Sequence, residues 1–205
     1  MQKTDLCILA EKYGVDKCPT ILHSYTPDYN AVLTPIRFLA NLVVEIGIGN
    51  PECMNSIVGH TYKAGASLRM WQDFFPSANI IGCDIRRDVL FEQNRIKSLY
   101  LDQGSSESLE QLYSTVNNTY GKADVILDDG SHVKTHQEIS FQHLWKLVKV
   151  GGFYIIEDIE GDANAIEFTS LPSKYGFTNS EFVFLKKSIH VKHGNWYYIC
   201  FKKTS

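Results

Sequence analysis

The segment Asp128-Asp129-Gly130-Ser131-His132, followed after one helix-length stretch by Glu157-Asp158, gathers carboxylates and an imidazole at the ends of two expected parallel strands. Val125-Ile126-Leu127 is a short apolar run that stops abruptly in charge, and Phe153-Tyr154-Ile155-Ile156 does the same before Glu157. In an open α/β sheet the ligand crevice lies outside the carboxyl ends of the strands, so both acidic clusters face one pocket. Three oxygen ligands drawn from them could hold a hard divalent cation, with His132 beside it as a base.

The elements that must position these groups alternate along the chain. Thr4 caps a helix that runs to Tyr13 and stops before Gly14. Asp16 to Asn30 is expected to be an irregular segment packed over something, and Ala31 to Leu39 a short helix. Leu42 to Ile46 is the first strand. The spacing then predicts helices over Ala66–Phe75, Val89–Arg95, Ser106–Asn117 and Thr135–Leu147, alternating with strands Ile80–Cys83, Ser98–Leu101, Val125–Leu127 and Phe153–Ile156. Units of this kind define an α/β fold with a doubly wound, mostly parallel sheet of Rossmann-like type. The runs Phe182–Ser188 and Trp196–Phe201, joined through His193-Gly194-Asn195, add an antiparallel hairpin at the carboxyl end.

Composition narrows the function. A chain of 205 residues, 44% apolar and 12% aromatic, can bury one good core, so residues 1–205 are expected to form a single domain. A net charge of −3, from 20 basic and 23 acidic residues, lacks the basic field that nucleic acid or an anionic membrane attracts. Cys7, Cys18, Cys53, Cys83 and Cys200 are scattered, with no Cys-x-x-Cys pair, so neither zinc nor a disulfide framework is indicated. Without a basic-then-apolar leader or an apolar run of roughly 18 residues, the expected location is the cytoplasm.

The first strand ends in Glu45-Ile46-Gly47-Ile48-Gly49, where glycines allow close backbone approach to a ligand. Asp84 ends the second strand, placed to bond both hydroxyls of a ribose, and Asp102-Gln103 closes the third, placed to read an adenine edge. A dinucleotide fingerprint requires a third glycine where this chain has Glu52, whose carboxylate repels a pyrophosphate. S-adenosylmethionine carries no phosphate and suits the loop. Asn50 to Ala64 is read as a loop over the site.

Ala10 to Lys17, His23 to Tyr29, the Glu45 turn, Gly65 to Trp71, Asp129 to His132 and Gly152 to Asp158 together make the resemblance specific. From about Glu11 to Asp158 the chain resembles the S-adenosylmethionine-dependent O-methyltransferases of the mycinamicin and macrocin type, which modify macrolide sugars. The resemblance implies Asp129, Glu157 and Asp158 as magnesium ligands, with manganese able to substitute, and His132 as base. It also implies cofactor contacts from Ser67 and Tyr25, with residues 1–40 a helical and looped cover over the cofactor site. Asp128 joins the expected cofactor set, its plain alternative being a cap on the far side of the strand end from Asp129. The chain begins without the amino-terminal extension of the macrolide enzymes, which leaves the acceptor and any homo-oligomeric assembly open.

The implied reaction methylates one hydroxyl of a vicinal diol on a sugar, either a nucleotide-sugar or a glycosylated small molecule. A diphosphate could be held by Lys17, Arg69 or Arg86. The rivals are a catechol-type metal-dependent O-methyltransferase, a nicotinamide-dependent oxidoreductase acting on sugars, and a binding protein without turnover. His136 shares a helical face with His132 and is the second candidate base, whereas His143, His190 and His193 fit surface or turn roles. Tyr25 and Tyr29 can equally be packing residues, and Trp71, Phe74 and Phe75 are expected in the core.

Overall fold

The computed structural model describes residues 3–59, 62–188 and 195–205. Helix α1 (Asp5–Tyr13) keeps its expected bounds, because the Thr4 side chain accepts from the Cys7 N–H and Gly14 closes the helix at φ 67°. Helix α2 (Thr26–Leu33) starts at Thr26 rather than Ala31, with Pro27 in the first turn where its missing N–H costs nothing, and Pro35 continues it only as a 3-10 turn, Thr34–Ile36. Strand β1 (Leu42–Ile46) matches its apolar run.

The Asn50 to Ala64 stretch is corrected from loop to helix over most of its length. Helix α3 (Pro51–Val58) has Asn50 as N-cap, accepting from the Cys53 N–H, and Pro51 in its first turn, yet none of its residues is buried. Helix α4 (Ala66–Phe74) and strand β2 (Asn79–Asp84) follow as expected. Val89 to Arg95 is not a helix. Arg87–Val89 is a 3-10 turn, and β3 (Glu92–Gln93) folds back on β4 (Ile96–Tyr100), with Asn94 taking φ 51° in the turn between them. Asparagine tolerates that left-handed conformation better than most residues.

Helix α5 (Ser106–Tyr120), strand β5 (Ala123–Asp128), helix α6 (Lys134–Leu144) and strand β6 (Val148–Glu160) complete the alternation. Two short helices, α7 (Asp162–Phe168) and α8 (Leu171–Lys174), precede the antiparallel pair β7 (Ser180–Lys187) and β8 (Trp196–Lys203). His190, His193 and Gly194 lie outside the described residues. Among those described, the sheet order is β3-β4-β2-β1-β5-β6-β8-β7, parallel from β4 to β6. The last strand therefore inserts beside β6 and leaves β7 at the edge. Among the described residues no helix is long and apolar enough to cross a membrane.

Alternate residues of the central strands feed two cores. Val43, Val125, Leu127, Phe153 and Ile155 pack against residues of α1, α2 and α4. Val44, Ile46, Ile126, Tyr154 and Ile156 pack on the opposite face, under α5 and α6. The same alternation carries Glu45, Asp129 and Glu157 to the first face and Asp128 to the second. Gly47, at φ 84°, runs so close to the next loop that an added Cβ would lie 1.9 Å from the Asp129 carbonyl oxygen. A Gly47→Ala substitution should therefore cost at least about 2 kcal/mol and lower the melting midpoint by roughly 4 to 8 °C, as read by calorimetry.

Candidate active site

A cavity of about 520 Å³ opens at the carboxyl ends of β1, β2, β4 and β5. Its size and place at the topological switch are those of a small-molecule site in an open α/β sheet. Of the expected cofactor residues, Gly47, Gly49, Ser67, Asp84, Asp102 and Gln103 line it. The Asp84 carboxylate is pre-aimed: one oxygen accepts from the Ile48 N–H at 3.1 Å and the other from the Arg86 N–H at 2.9 Å. Gln103 is clamped by donating to Asp128 at 2.7 Å and accepting from the Ser131 N–H at 2.9 Å.

Three members of the expected cofactor set are not on the cavity wall. Glu45 and Asp128 are fully buried, and Tyr25 is too. Glu45 accepts from the Ser67 hydroxyl at 2.7 Å, so it acts on the cavity through Ser67. Burial pushes Glu45 and Asp128 up to about 7 each, against the pull of Lys17 on the first and the Gln103 hydrogen bond on the second. Tyr25 donates its hydroxyl to Asp158 and stacks on His23 at 4.6 Å.

The acids and the imidazole do converge. Ligand atoms of Asp129, His132 and Asp158 all lie within 4.8 Å of one another. His132 Nε2 is 3.1 Å from Asp129 Oδ1 and 3.6 Å from Asp158 Oδ2. Burial alone would pull the imidazole down, but Asp129, Asp158 and Asp128 together raise it to about 9. Both His132 (φ 57°) and Asp158 (φ 51°) adopt left-handed backbone, which costs about 1 to 3 kcal/mol each and concentrates where geometry matters to function. Asp158 sits in a bulge of β6, where pairing with β8 shifts register between Ile156 and Ile159. The bulge explains how adjacent residues, which a regular strand sends to opposite faces, both meet the amino-terminal segment.

Glu157 takes a different place from its neighbours. Its carboxylate accepts from the Tyr29 hydroxyl at 2.8 Å and from Lys17 Nζ at 2.6 Å, and it does not line the cavity. Lys17, 1% exposed, also bonds Asp129 Oδ2 and lies 4.0 Å from Glu45 Oε1. Burial opposes its charge, yet Asp129, Glu157, Asp16 and Glu45 hold the ammonium well above its ordinary value. Burial raises Glu157 as well, against Lys17, while Lys17 and His132 overcome burial to hold Asp129 low. Lys17 carried no signal in the sequence as an ion-pair centre, since a lysine reads as surface until its partners are known.

His23 was also missed. It is 4% exposed, borders the cavity, shares a 2.8 Å hydrogen bond between Nδ1 and the Ser188 hydroxyl, and lies 4.0 Å from Asp158. The three candidate phosphate binders are engaged elsewhere: Lys17 as above, Arg69 with the Ala64 carbonyl and the Phe91 ring, Arg86 with Glu52 and Asp88. His136 bonds the Ser131 hydroxyl at 3.0 Å, and His143 pairs with Glu110 on the surface.

The donor set fits a hard divalent ion. Asp129 and Asp158 offer oxygen ligands beside His132, and so few carboxylates leave positions for water or substrate oxygens. Glu157 could join only if Lys17 Nζ gave way. The cavity has room for a nucleoside, Asp84 on its wall could accept from a ribose, and Glu52 stands where an anion-binding glycine would be needed.

The eight-stranded, mostly parallel sheet matches the fold of Rossmann-like methyltransferase structures. By sequence the chain is similar to a set of O-methyltransferases over part of their length. It is 35% identical over 158 residues to mycinamicin VI 2''-O-methyltransferase of Micromonospora griseorubida, covering 77% of this chain and 37% of that protein. Demethylmacrocin O-methyltransferase of Streptomyces fradiae is 36% identical over 157 residues, with the same coverages. The MycE methyltransferase in complex with Mg, SAH and mycinamycin VI superposes with TM-score 0.72 and 30% identity, over 99% of this chain and 55% of that one. The chain thus spans well under half the length of these two curated relatives. No family model matches it.

Replacing Lys17 by Met would leave Asp129 and Glu157 facing each other without a cation. Removing one partner of a buried ion pair costs about 3 to 5 kcal/mol, so the urea midpoint of Lys17→Met should fall markedly. An unchanged midpoint would show that the ammonium does not hold the acids together.

Proposed function

We propose that the protein is an S-adenosylmethionine-dependent, magnesium-assisted O-methyltransferase that methylates one hydroxyl of a vicinal diol on the sugar of a glycosylated small molecule. The observation that carries this is the convergence of Asp129, His132 and Asp158 on the wall of a nucleoside-sized cavity. The sugar acceptor is supported by relatives whose names specify rhamnosyl and olivosyl acceptors, and the glycoside is favoured over a nucleotide-sugar because Lys17, Arg69 and Arg86 are already paired. Residues 1–40 are read as the cover that brings Lys17, His23 and Tyr25 over the acids.

When bound, S-adenosylmethionine supplies an electrophilic methyl group, and magnesium, or manganese in its place, supplies charge that lowers the pKa of a hydroxyl. Asp84 receives the ribose hydroxyls, while Gly47 and Gly49 let the backbone approach the nucleoside. Asp129 and Asp158 hold the cation, and Tyr25 fixes the orientation of the Asp158 carboxylate through its hydroxyl. A cation on Asp129 and Asp158 would offset the acids that hold His132 protonated, leaving Nε2 to take the proton of the reacting hydroxyl, with the left-handed backbone fixing the ring beside both acids.

Labelled donor offered with magnesium to glycosides bearing free or singly blocked diols, nucleotide-sugars and catechols tests the reading. Labelling of glycosides that needs both hydroxyls free and disappears after chelation is expected. Label on catechols alone would sink the sugar assignment, and full activity after exhaustive chelation would sink the metal.

His132→Ala should lower kcat by roughly 10²- to 10⁴-fold, the usual contribution of a positioned base, with calorimetric affinity for S-adenosylhomocysteine unchanged. Retention of the wild-type rate would move the base elsewhere, His136 first.

A further inference from the structure

A second cavity, of about 290 Å³, opens where the first turns of α6 and α7 meet the end of β6. Among the described residues, His132 alone borders both this cavity and the larger one. A molecule held here therefore lies beside the candidate base without taking the place of the nucleoside.

The polar groups around this second cavity are acceptors. Gln137 and Asn164 each spend a side-chain N–H on a backbone carbonyl of β6: Gln137 Nε2 donates to Glu157 at 2.8 Å, and Asn164 Nδ2 to Glu160 at 2.7 Å. A carbonyl can only accept, so these bonds fix which end of each amide carries the oxygen. Neither amide oxygen has a donor among the described residues, although Gln137 is only 1% exposed. The Glu160 carboxylate makes no ion pair among the described residues, and the neighbouring ammonium, Lys134, is taken up by Glu167 and Glu138. Val133 and Ile159 supply the apolar part of the wall. An anion would meet oxygens on every polar side, whereas a ring bearing hydroxyls would find a partner for each O–H and an apolar surface for its C–H groups.

We propose that this second cavity is the seat of the acceptor sugar, whose hydroxyls donate to Gln137 Oε1, Asn164 Oδ1 and the Glu160 carboxylate while its C–H face lies on Val133 and Ile159. The inference rests on the proposed methyltransferase reading and adds the subsite that selects a neutral, hydroxyl-rich ring. Its volume stands at the lower end of small-molecule sites, which suits one sugar ring and leaves the rest of a glycoside outside. Glu160 lies two residues beyond Asp158 on β6, and Gln137 is fastened to the Glu157 carbonyl, so the seat and the acids share one stretch of backbone. That shared mounting sets the distance between a seated ring and His132, as orientation of a reacting hydroxyl requires. A sugar lacking one of the donating hydroxyls leaves an acceptor unpaired, and that loss is the basis of selection.

The test compares wild type with Asn164→Ala, Glu160→Gln and the cavity-filling Asn164→Trp, using methyl pyranosides with a free vicinal diol as acceptors. Initial rates with labelled donor are paired with saturation-transfer NMR of pyranoside binding in the presence of S-adenosylhomocysteine. Loss of one hydrogen bond should raise the pyranoside KM by about tenfold in Asn164→Ala and in Glu160→Gln, with little change in kcat. Asn164→Trp should abolish the saturation-transfer signal. Calorimetric affinity for S-adenosylhomocysteine and manganese affinity by electron paramagnetic resonance should hold in all three. Across a set of deoxy pyranosides, the one lacking the hydroxyl that meets Asn164 should no longer distinguish wild type from Asn164→Ala. An unchanged pyranoside KM in all three variants would overturn the subsite while leaving the methyltransferase reading intact. Pyranoside binding that the variants weaken, without methyl transfer in wild type, would keep the subsite and overturn that reading. Neither binding nor transfer of any pyranoside by wild type would overturn both the subsite and the sugar acceptor.

Discussion

The structure depends on one buried cation. Lys17 Nζ, sealed from solvent, binds carboxylates of Asp129 and Glu157 and faces Glu45, drawing the ends of β1, β5 and β6 toward a single point supplied by the amino-terminal segment. Taking an ammonium and carboxylates out of water is expensive, and only close geometry with further hydrogen bonds offsets it. Those further bonds are present: Tyr29 on Glu157, Ser67 on Glu45, His132 on Asp129. The amino-terminal segment is therefore fastened to the sheet by electrostatics at the same place where the cavity begins, and by apolar packing of Leu6, Tyr25, Tyr29 and Leu33 behind it.

Around that centre, two departures from regular backbone do the positioning. A strand that kept its pleat would show Glu157 and Asp158 to opposite faces. The bulge after Ile156 and the left-handed turn at Asp158 let one acid serve Lys17 while the next serves His132. His132 has the same unusual backbone at the end of the Asp129 turn, so the two sides of the cluster are bent toward each other. The division of labour between Glu157 and Asp158 follows from this geometry.

The parts of the fold legible in the sequence were those where local rules and burial agree. Leu42 to Ile46 is apolar apart from Glu45 because both of its faces are covered, and α1 declares its ends through Thr4 and Gly14. Helix α3 was read as a loop although Asn50-Pro51 start it and Cys53, Met54, Ile57 and Val58 recur at helical spacing, because eight residues that bury nothing give only a short, weak period. Residues 87–95 failed because a turn through Asn94 and a tertiary strand pairing overrode a weak helical pattern. In the site, the acids and His132 announced themselves as charge at the ends of apolar runs. Lys17 and His23 did not: a lysine and a histidine acquire their roles from partners more than a hundred residues away, and no local spacing encodes such a pairing.

That distance bears on how the chain comes to be folded. Lys17 and Glu157 are 140 positions apart, and Tyr25 and Asp158 133. During synthesis the amino-terminal helices emerge with their ammonium still hydrated, and they cannot dock until β5 and β6 exist to receive them. High contact order of this kind makes the docking step slow relative to local helix formation. The bulge that carries Asp158 has β8 as its pairing partner, the last described strand to leave the ribosome. The acid cluster accordingly draws on both ends of the described chain, and a nascent chain stalled before β8 would carry the acids without the strand that pairs across that bulge.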